Sequence, residues 1–354
     1  MRERLLTPGP VALHPKASAA LGEPQTYHRD SAAKAEVQRA RELLSRAFAT
    51  EGQVLLLTGS GTLGMDALAV NLFAPGERVY VPVSGKFSER WAEIATAEGL
   101  EVIREDFPWG KALDPVQIAA SIGEASPAGV LLTHSESSTG VLNDIRAIVS
   151  ASREAIPELL VGADMITSFM VSEVGLEGWG IDAAVAGSQK GLMCPPGLAL
   201  VALSPRALER LQPRGYYLNL ERELKAQKSG ETAFTPAINL IRAVRAVAEC
   251  EVPRLGELIR ERWFQNEILY RAGASQGLKP VPDRASPACA AFWLPEGVDY
   301  AQIKAAFARR GALIAGGQGQ LAGKIFRVSL MGYYDRFDAQ AVAGILQEVA
   351  SELR

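Results

Sequence analysis

Short apolar runs bounded by turn formers recur along the first two thirds of the chain, at residues 53–57, 78–83, 128–132, 159–163, 181–185 and 198–203. They do not alternate with polar residues. Unbroken runs of this length predict strands buried on both faces, the kind found in a mostly parallel sheet covered by helices. Between and after them, longer stretches predict helices at residues 32–48, 63–72 and 238–251. The remainder alternates helix (260–271), strand candidates (288–292 and 313–315) and a last helix (338–353). The charged stretch 214–231 has no strong period and is expected to cover the surface. This order predicts an α/β protein: a large domain with a doubly wound sheet over residues 15–240, and a smaller α/β domain over 241–354. The extended, proline-containing arm 1–14 joins the small domain.

Composition narrows the class. The chain has 354 residues, 48% of them hydrophobic and 22% charged, which suits a soluble protein with a large core. A formal charge of −3 offers no broad basic surface, so no nucleic-acid partner is expected. No run approaches the roughly 20 apolar residues of a membrane span, and the first residues lack a signal-peptide core. Cys194, Cys250 and Cys289 form no CxxC pair, so neither a disulfide framework nor a metal site is expected. The expectation is a cytoplasmic enzyme without a membrane partner.

Candidate chemistry gathers at strand ends. The run 181–185 leads into Ala186-Gly187-Ser188-Gln189-Lys190, placing a lysine just past a buried strand. A partly desolvated lysine has a lowered pKa and can form a Schiff base, although a surface lysine at a strand end is the plainer reading. Run 159–163 ends at Asp164, where an acid faces the crevice that open α/β sheets use for ligands. A helix N-cap would explain Asp164 equally. Together the two residues make the pair that a pyridoxal phosphate site requires, a lysine for the aldehyde and an acid for the ring nitrogen. Run 53–57 enters Thr58-Gly59-Ser60-Gly61-Thr62 ahead of a helix, an arrangement that aims free N–H groups at a phosphate. It is neither a Walker A nor a Rossmann fingerprint.

The segments Asp164-Met165-Ile166-Thr167-Ser168 and Gly187-Ser188-Gln189-Lys190 resemble the two signature segments of class V pyridoxal-phosphate-dependent aminotransferases. The alanine–glyoxylate and serine–pyruvate branch is nearest in pattern, and the resemblance reaches bacterial low-specificity aspartate aminotransferases. His134-Ser135-Glu136-Ser137-Ser138-Thr139-Gly140 is similar to the family's His-x-Glu-Ser-Ser-Thr-Gly. The likeness covers nearly the whole chain and implies the type I, aspartate-aminotransferase-like fold. It also implies roles. Lys190 and Asp164 would be catalytic; Ser60, Gly61, Thr62 and Gln189 would anchor the cofactor phosphate and its surroundings. Phe87 would stack on the cofactor ring, where many relatives have tryptophan. Ser137 would touch the ring side, with Glu136 orienting and His134 in a structural hydrogen-bonding role. Arg327, within an apolar strand, would grip the substrate carboxylate, an internal salt bridge being the alternative. Gly9 would lie near the substrate. Thr235 would cross a homodimer interface to the neighbour's phosphate, whereas Thr232 stands where some relatives have tyrosine.

The function expected is ping-pong transfer of an amino group from alanine, serine or aspartate to glyoxylate, pyruvate or 2-oxoglutarate. An enzyme specific for aspartate is one alternative, and it needs a second cation, for which Arg29 is the candidate. A lyase of the cysteine desulfurase type is another, but that family places histidine where this chain has Gln189.

Overall fold

A computed structural model describes residues 3–353; residues 1, 2 and 354, included in the ranges expected above, lie outside the described residues. In chain order the elements begin with β1 (Arg4–Leu5), α1 (Pro15–Leu21), α2 (Ser31–Phe48), β2 (Gln53–Thr58), α3 (Gly61–Leu72), β3 (Arg78–Val83) and α4 (Lys86–Ala97). They continue with β4 (Glu101–Asp106), α5 (Pro115–Ala125), β5 (Gly129–Thr133), β6 (Ser135–Glu136), β7 (Val141–Leu142), α6 (Ile145–Ala155), β8 (Leu160–Asp164), β9 (Ala183–Gly187) and β10 (Leu198–Leu203). The last third holds α7 (Pro205–Arg210), α8 (Leu220–Lys228), α9 (Ile238–Glu251), α10 (Leu255–Ser275), β11 (Ala290–Trp293), α11 (Tyr300–Arg309), β12 (Ala312–Leu313), β13 (Ala315–Gly316), β14 (Ile325–Val328) and α12 (Arg336–Glu352).

The main sheet has seven strands in the order β2-β10-β9-β8-β5-β3-β4. Strands β9, β8, β5, β3 and β4 pair in parallel, and β10 alone runs against both its neighbours. The expected mostly parallel, helix-covered sheet is what the chain builds. Its central strands β5, β8 and β9 are buried throughout, which explains their unbroken apolar sequence. Gly64 lets α3 lie close to the sheet, since a Cβ there would stand 2.7 Å from Val185 Cγ1. A smaller sheet, β11-β14-β13, carries α10, α11 and α12.

Two regions differ from the sequence expectation. The stretch 214–231 is not merely surface cover, because α8 within it buries Leu220, Glu223 and Gln227. The Gln227 amide donates to Leu56 O at 2.8 Å and accepts from Leu56 N at 3.1 Å. A side chain thus occupies the free edge of β2 in place of another strand. A boundary at residue 240 would cut α9, whose Ile241, Val244 and Val247 pack into the core shared with α2 and the main sheet. We propose that the division falls after α9, at the turn 252–254 that leads into α10.

The N-terminal arm is held to the smaller sheet's side of the molecule. β1 pairs in parallel with β12, Ser329 N donates to Leu6 O at 2.9 Å, and Tyr333 N donates to Ala12 O at 3.0 Å.

Candidate active site

Backbone register brings the two key residues to one edge. Thr133, Asp164 and Val185 stand level across β5, β8 and β9, so the carboxyl ends of these strands open on the same side. Lys190 follows three residues beyond the end of β9, in the short return to antiparallel β10. That return is tied by Ser188, whose N–H donates to Leu198 O at 3.0 Å and whose hydroxyl donates to Pro195 O at 2.6 Å. Ser60, Gly61, Thr62, Phe87, Gln189 and Lys190 line one cavity with Asp164. Ser60 begins α3 with an extended backbone and its hydroxyl makes no capping bond, so the first-turn N–H groups have no side-chain acceptor.

The environment shifts both titrating groups. Burial raises the Asp164 carboxyl to about 7; the Ile166 N–H, donated to Oδ1 at 2.7 Å, and the charges of Arg90 and Lys190 pull the other way. Burial lowers Lys190 to about 8, against the pull of Asp164. Its Nζ donates to Pro8 O at 2.7 Å. Gly9, at φ +133°, lies directly on this side chain: a Cβ there would stand 2.3 Å from Nζ. A side chain at position 9 is therefore excluded by both backbone and lysine.

Glu136 is fully buried at the N-terminus of α4 and accepts from Phe87 N at 3.1 Å, Ser88 N at 2.9 Å and Ser88 Oγ at 3.0 Å. A carboxylate there satisfies first-turn donors and the helix dipole, and it fixes the backbone that carries the Phe87 ring. Arg327, on β14, is buried without a carboxylate partner among the described residues. Its Nε and Nη2 donate to Gly316 O at 3.0 and 2.6 Å, and its Nη1 donates to Ser137 O at 2.6 Å. Three of five donors are so engaged, which leaves the fork capacity for an external oxyanion. The internal salt bridge considered for it does not occur.

Other residues depart from expectation. Ser137 does not line the cavity; its carbonyl serves Arg327, and its buried hydroxyl has no partner among the described residues. Ser135 and Thr167 line the cavity instead. His134 makes its hydrogen bonds through its backbone, with N–H donating to Asp164 O at 2.9 Å, while buried Nδ1 has no partner. Its ring stands edge-on to Trp179, and burial holds it down at about 3. Arg29 is exposed, and like Thr232, Arg327 and Gly9 it is absent from the cavity lining; Thr235, expected at a neighbour's site, is exposed. Sequence reasoning passed over Arg90, three residues after Phe87 on α4, which lines the cavity; helical spacing from Phe87 was the available signal. It also passed over Cys289, a buried thiol raised to about 11 by burial, on which Arg327 and Lys190 act electrostatically.

The family model described as aminotransferase class-V matches residues 14–256. The chain is 33% identical to the soluble hydrogenase small subunit of Synechococcus sp. (strain PCC 6716), covering 99% of this chain and 93% of that protein. It is 31% identical to the L-aspartate–glyoxylate aminotransferase of Paracoccus denitrificans, covering 96% of this chain and 89% of that one. Among solved structures, it superposes on an aspartate aminotransferase of subgroup IV from Thermus thermophilus with a TM-score of 0.97. The two are 61% identical, covering 99% of this chain and 100% of that chain.

Proposed function

The chain belongs to the class V aminotransferases, and from that membership we propose that it takes pyridoxal phosphate on Lys190 and draws amino groups from aspartate. The observation that carries the reading is the convergence of Lys190 and Asp164 in one cavity at the carboxyl edge of the sheet. Aspartate is favoured as donor because the aspartate aminotransferase at 61% identity covers 99% of this chain. A 2-oxo acid receives the amino group. The hydrogenase name of the Synechococcus relative is not carried across, since the cavity's residues are those of amino-group chemistry.

The residues suit that cofactor. A buried carboxylate at a strand end answers a protonated ring nitrogen, an aromatic side chain offers a face, and an uncapped helix N-terminus answers a phosphate. Among the described residues the buried Gln189 Oε1, in the cavity lining, has no partner and adds unused hydrogen-bonding capacity. Bound there, pyridoxal phosphate would supply an electron sink for the charge left when the donor's Cα loses its proton.

The chain's own groups do the rest. Lys190, lowered to about 8 by burial so that a fraction of it is neutral near physiological pH, can accept and return the Cα proton. The Pro8 carbonyl gives its Nζ a fixed acceptor when it is not covalently engaged. Asp164 remains an anion where a cation faces it. Arg327 orients the α-carboxylate, and Glu136 holds Phe87 in place through the α4 N-terminus. Gly9 keeps the space above the lysine clear. We place the enzyme in the cytoplasm as a homodimer, in which exposed Thr235 meets the neighbouring subunit's site.

The test is reduction with borohydride. The purified protein should be yellow, should bleach on reduction, and should carry the adduct on Lys190 by peptide mapping. An adduct on another lysine, or none, refutes the assignment.

A further inference from the structure

An aspartate donor carries two carboxylates, and one of them has no assigned cation. Its α-carboxylate has Arg327, which is buried and acts electrostatically on Lys190, but its side-chain carboxylate needs a second cation, and Arg29 is exposed. Among the residues that line the cavity, Arg90 and Lys190 are the basic ones. Arg90 is partly buried on α4, with its guanidinium carbon 5.0 Å from the centre of the Phe87 ring. Its Nη1 donates to Thr62 Oγ1 at 3.2 Å, and among the described residues no carboxylate pairs with it. One of five guanidinium donors is therefore committed within the chain, whereas the other arginines of α4's surroundings are paired: Arg104 bonds Asp106 and Glu89.

An arginine held at one corner by a hydroxyl and braced on an aromatic face is oriented but not neutralised. Its charge is felt by both Asp164 and Lys190, which places it close to the reacting centre. We infer that Arg90 is the second oxyanion-binding residue of this site, and that it takes the side-chain carboxylate of a dicarboxylic donor such as aspartate. The inference rests on the transaminase reading and adds the residue that selects the substrate class. A phosphate group offers the same chemistry. The helix N-terminus at Gly61 and Thr62 and the Gln189 amide already answer a phosphate, whereas nothing else lining the cavity answers a distal carboxylate.

Arg90→Met and Arg90→Lys holoenzymes test the assignment against wild type with three measurements. The first is the affinity for maleate, a dicarboxylate, and for propionate, a monocarboxylate, by calorimetry. The second is the ratio of kcat/KM for aspartate to that for alanine. The third is the ratio of affinities of the apo-protein for pyridoxal phosphate and for pyridoxal. Arg90→Met should weaken maleate roughly ten- to a hundredfold more than propionate and lower the aspartate-to-alanine ratio by a similar factor. Arg90→Lys should restore part of both, because charge returns without the fork. Equal weakening of maleate and propionate, or none, overturns the inference. A collapse confined to the pyridoxal phosphate ratio also overturns it, because the oxyanion is then the cofactor's phosphate. If wild type prefers alanine while maleate binding still depends on Arg90, the aspartate reading falls and the Arg90 assignment stands.

Discussion

Replacing Asp164 with asparagine should make the cofactor-free protein more stable at alkaline pH while abolishing most of its transaminase activity. The Asp164 carboxyl is raised by burial from 3.8 to about 7. At about 1.4 kcal/mol per pKa unit, the ionised carboxylate costs the fold about 4 kcal/mol once pH exceeds the folded value. The cost is absent below the unfolded value near 3.8, grows as pH rises, and is complete above about 7. Asparagine keeps an oxygen for the Ile166 N–H, donated at 2.7 Å in the native protein, and carries no charge to desolvate. Urea unfolding of both apo-proteins at one protein concentration reads the difference. The variant should lead by about 4 kcal/mol near pH 8.5 and by about 1.5 kcal/mol near pH 5. With pyridoxal phosphate bound the order should reverse, because the amide offers no negative charge to the ring nitrogen. A gap that is absent, or equal at the two pH values, would refute the claim that Asp164 is kept for function against the interest of the fold.

Two further outcomes are expected. Arg327→Lys should lower kcat/KM for amino acids by roughly one to two orders of magnitude and spare an amine that lacks a carboxylate. Equal losses with a lowered melting point would instead make Arg327 a strut between Gly316 and Ser137. Lys190→Ala and Thr235→Ala, each inactive alone, should regain activity when mixed as dimers if Thr235 serves the neighbour's site. A fully active monomer in sedimentation at assay concentration would end that idea.

Much of this was legible in the sequence because the central strands are buried on both faces, and their apolar runs announce them. Asp164 ends one such run and Lys190 stands three residues past the end of β9, so their place at the sheet's edge could be read from order alone. The strand–glycine–helix turn at Ser60 was legible for the same reason. What depended on distant parts of the chain was not. Arg327 is answered by the carbonyls of Gly316 and Ser137, and a carbonyl has no signature in sequence. The Ser137 side chain could be matched to a motif, but the turn that aims it is set by β6 and β7. α8 was missed because its buried positions include Glu223 and Gln227, polar residues whose value lies in closing a sheet edge. Arg90 was passed over as one charge among many on an amphipathic helix.

Residues 4–12 are stitched to the smaller sheet's side by β1–β12 pairing and by the Leu6 and Ala12 carbonyls, so Gly9 and Arg327 ride on one frame. Lys190, Asp164 and the helix α3 ride on another, the seven-stranded sheet. Arg327 and the lysine that moves the proton therefore sit on separate scaffolds, and the Pro8–Lys190 and Ser137–Arg327 hydrogen bonds tie one to the other. A shift of one frame against the other would therefore change the distance from the Arg327 fork to the Lys190 amine without altering either group.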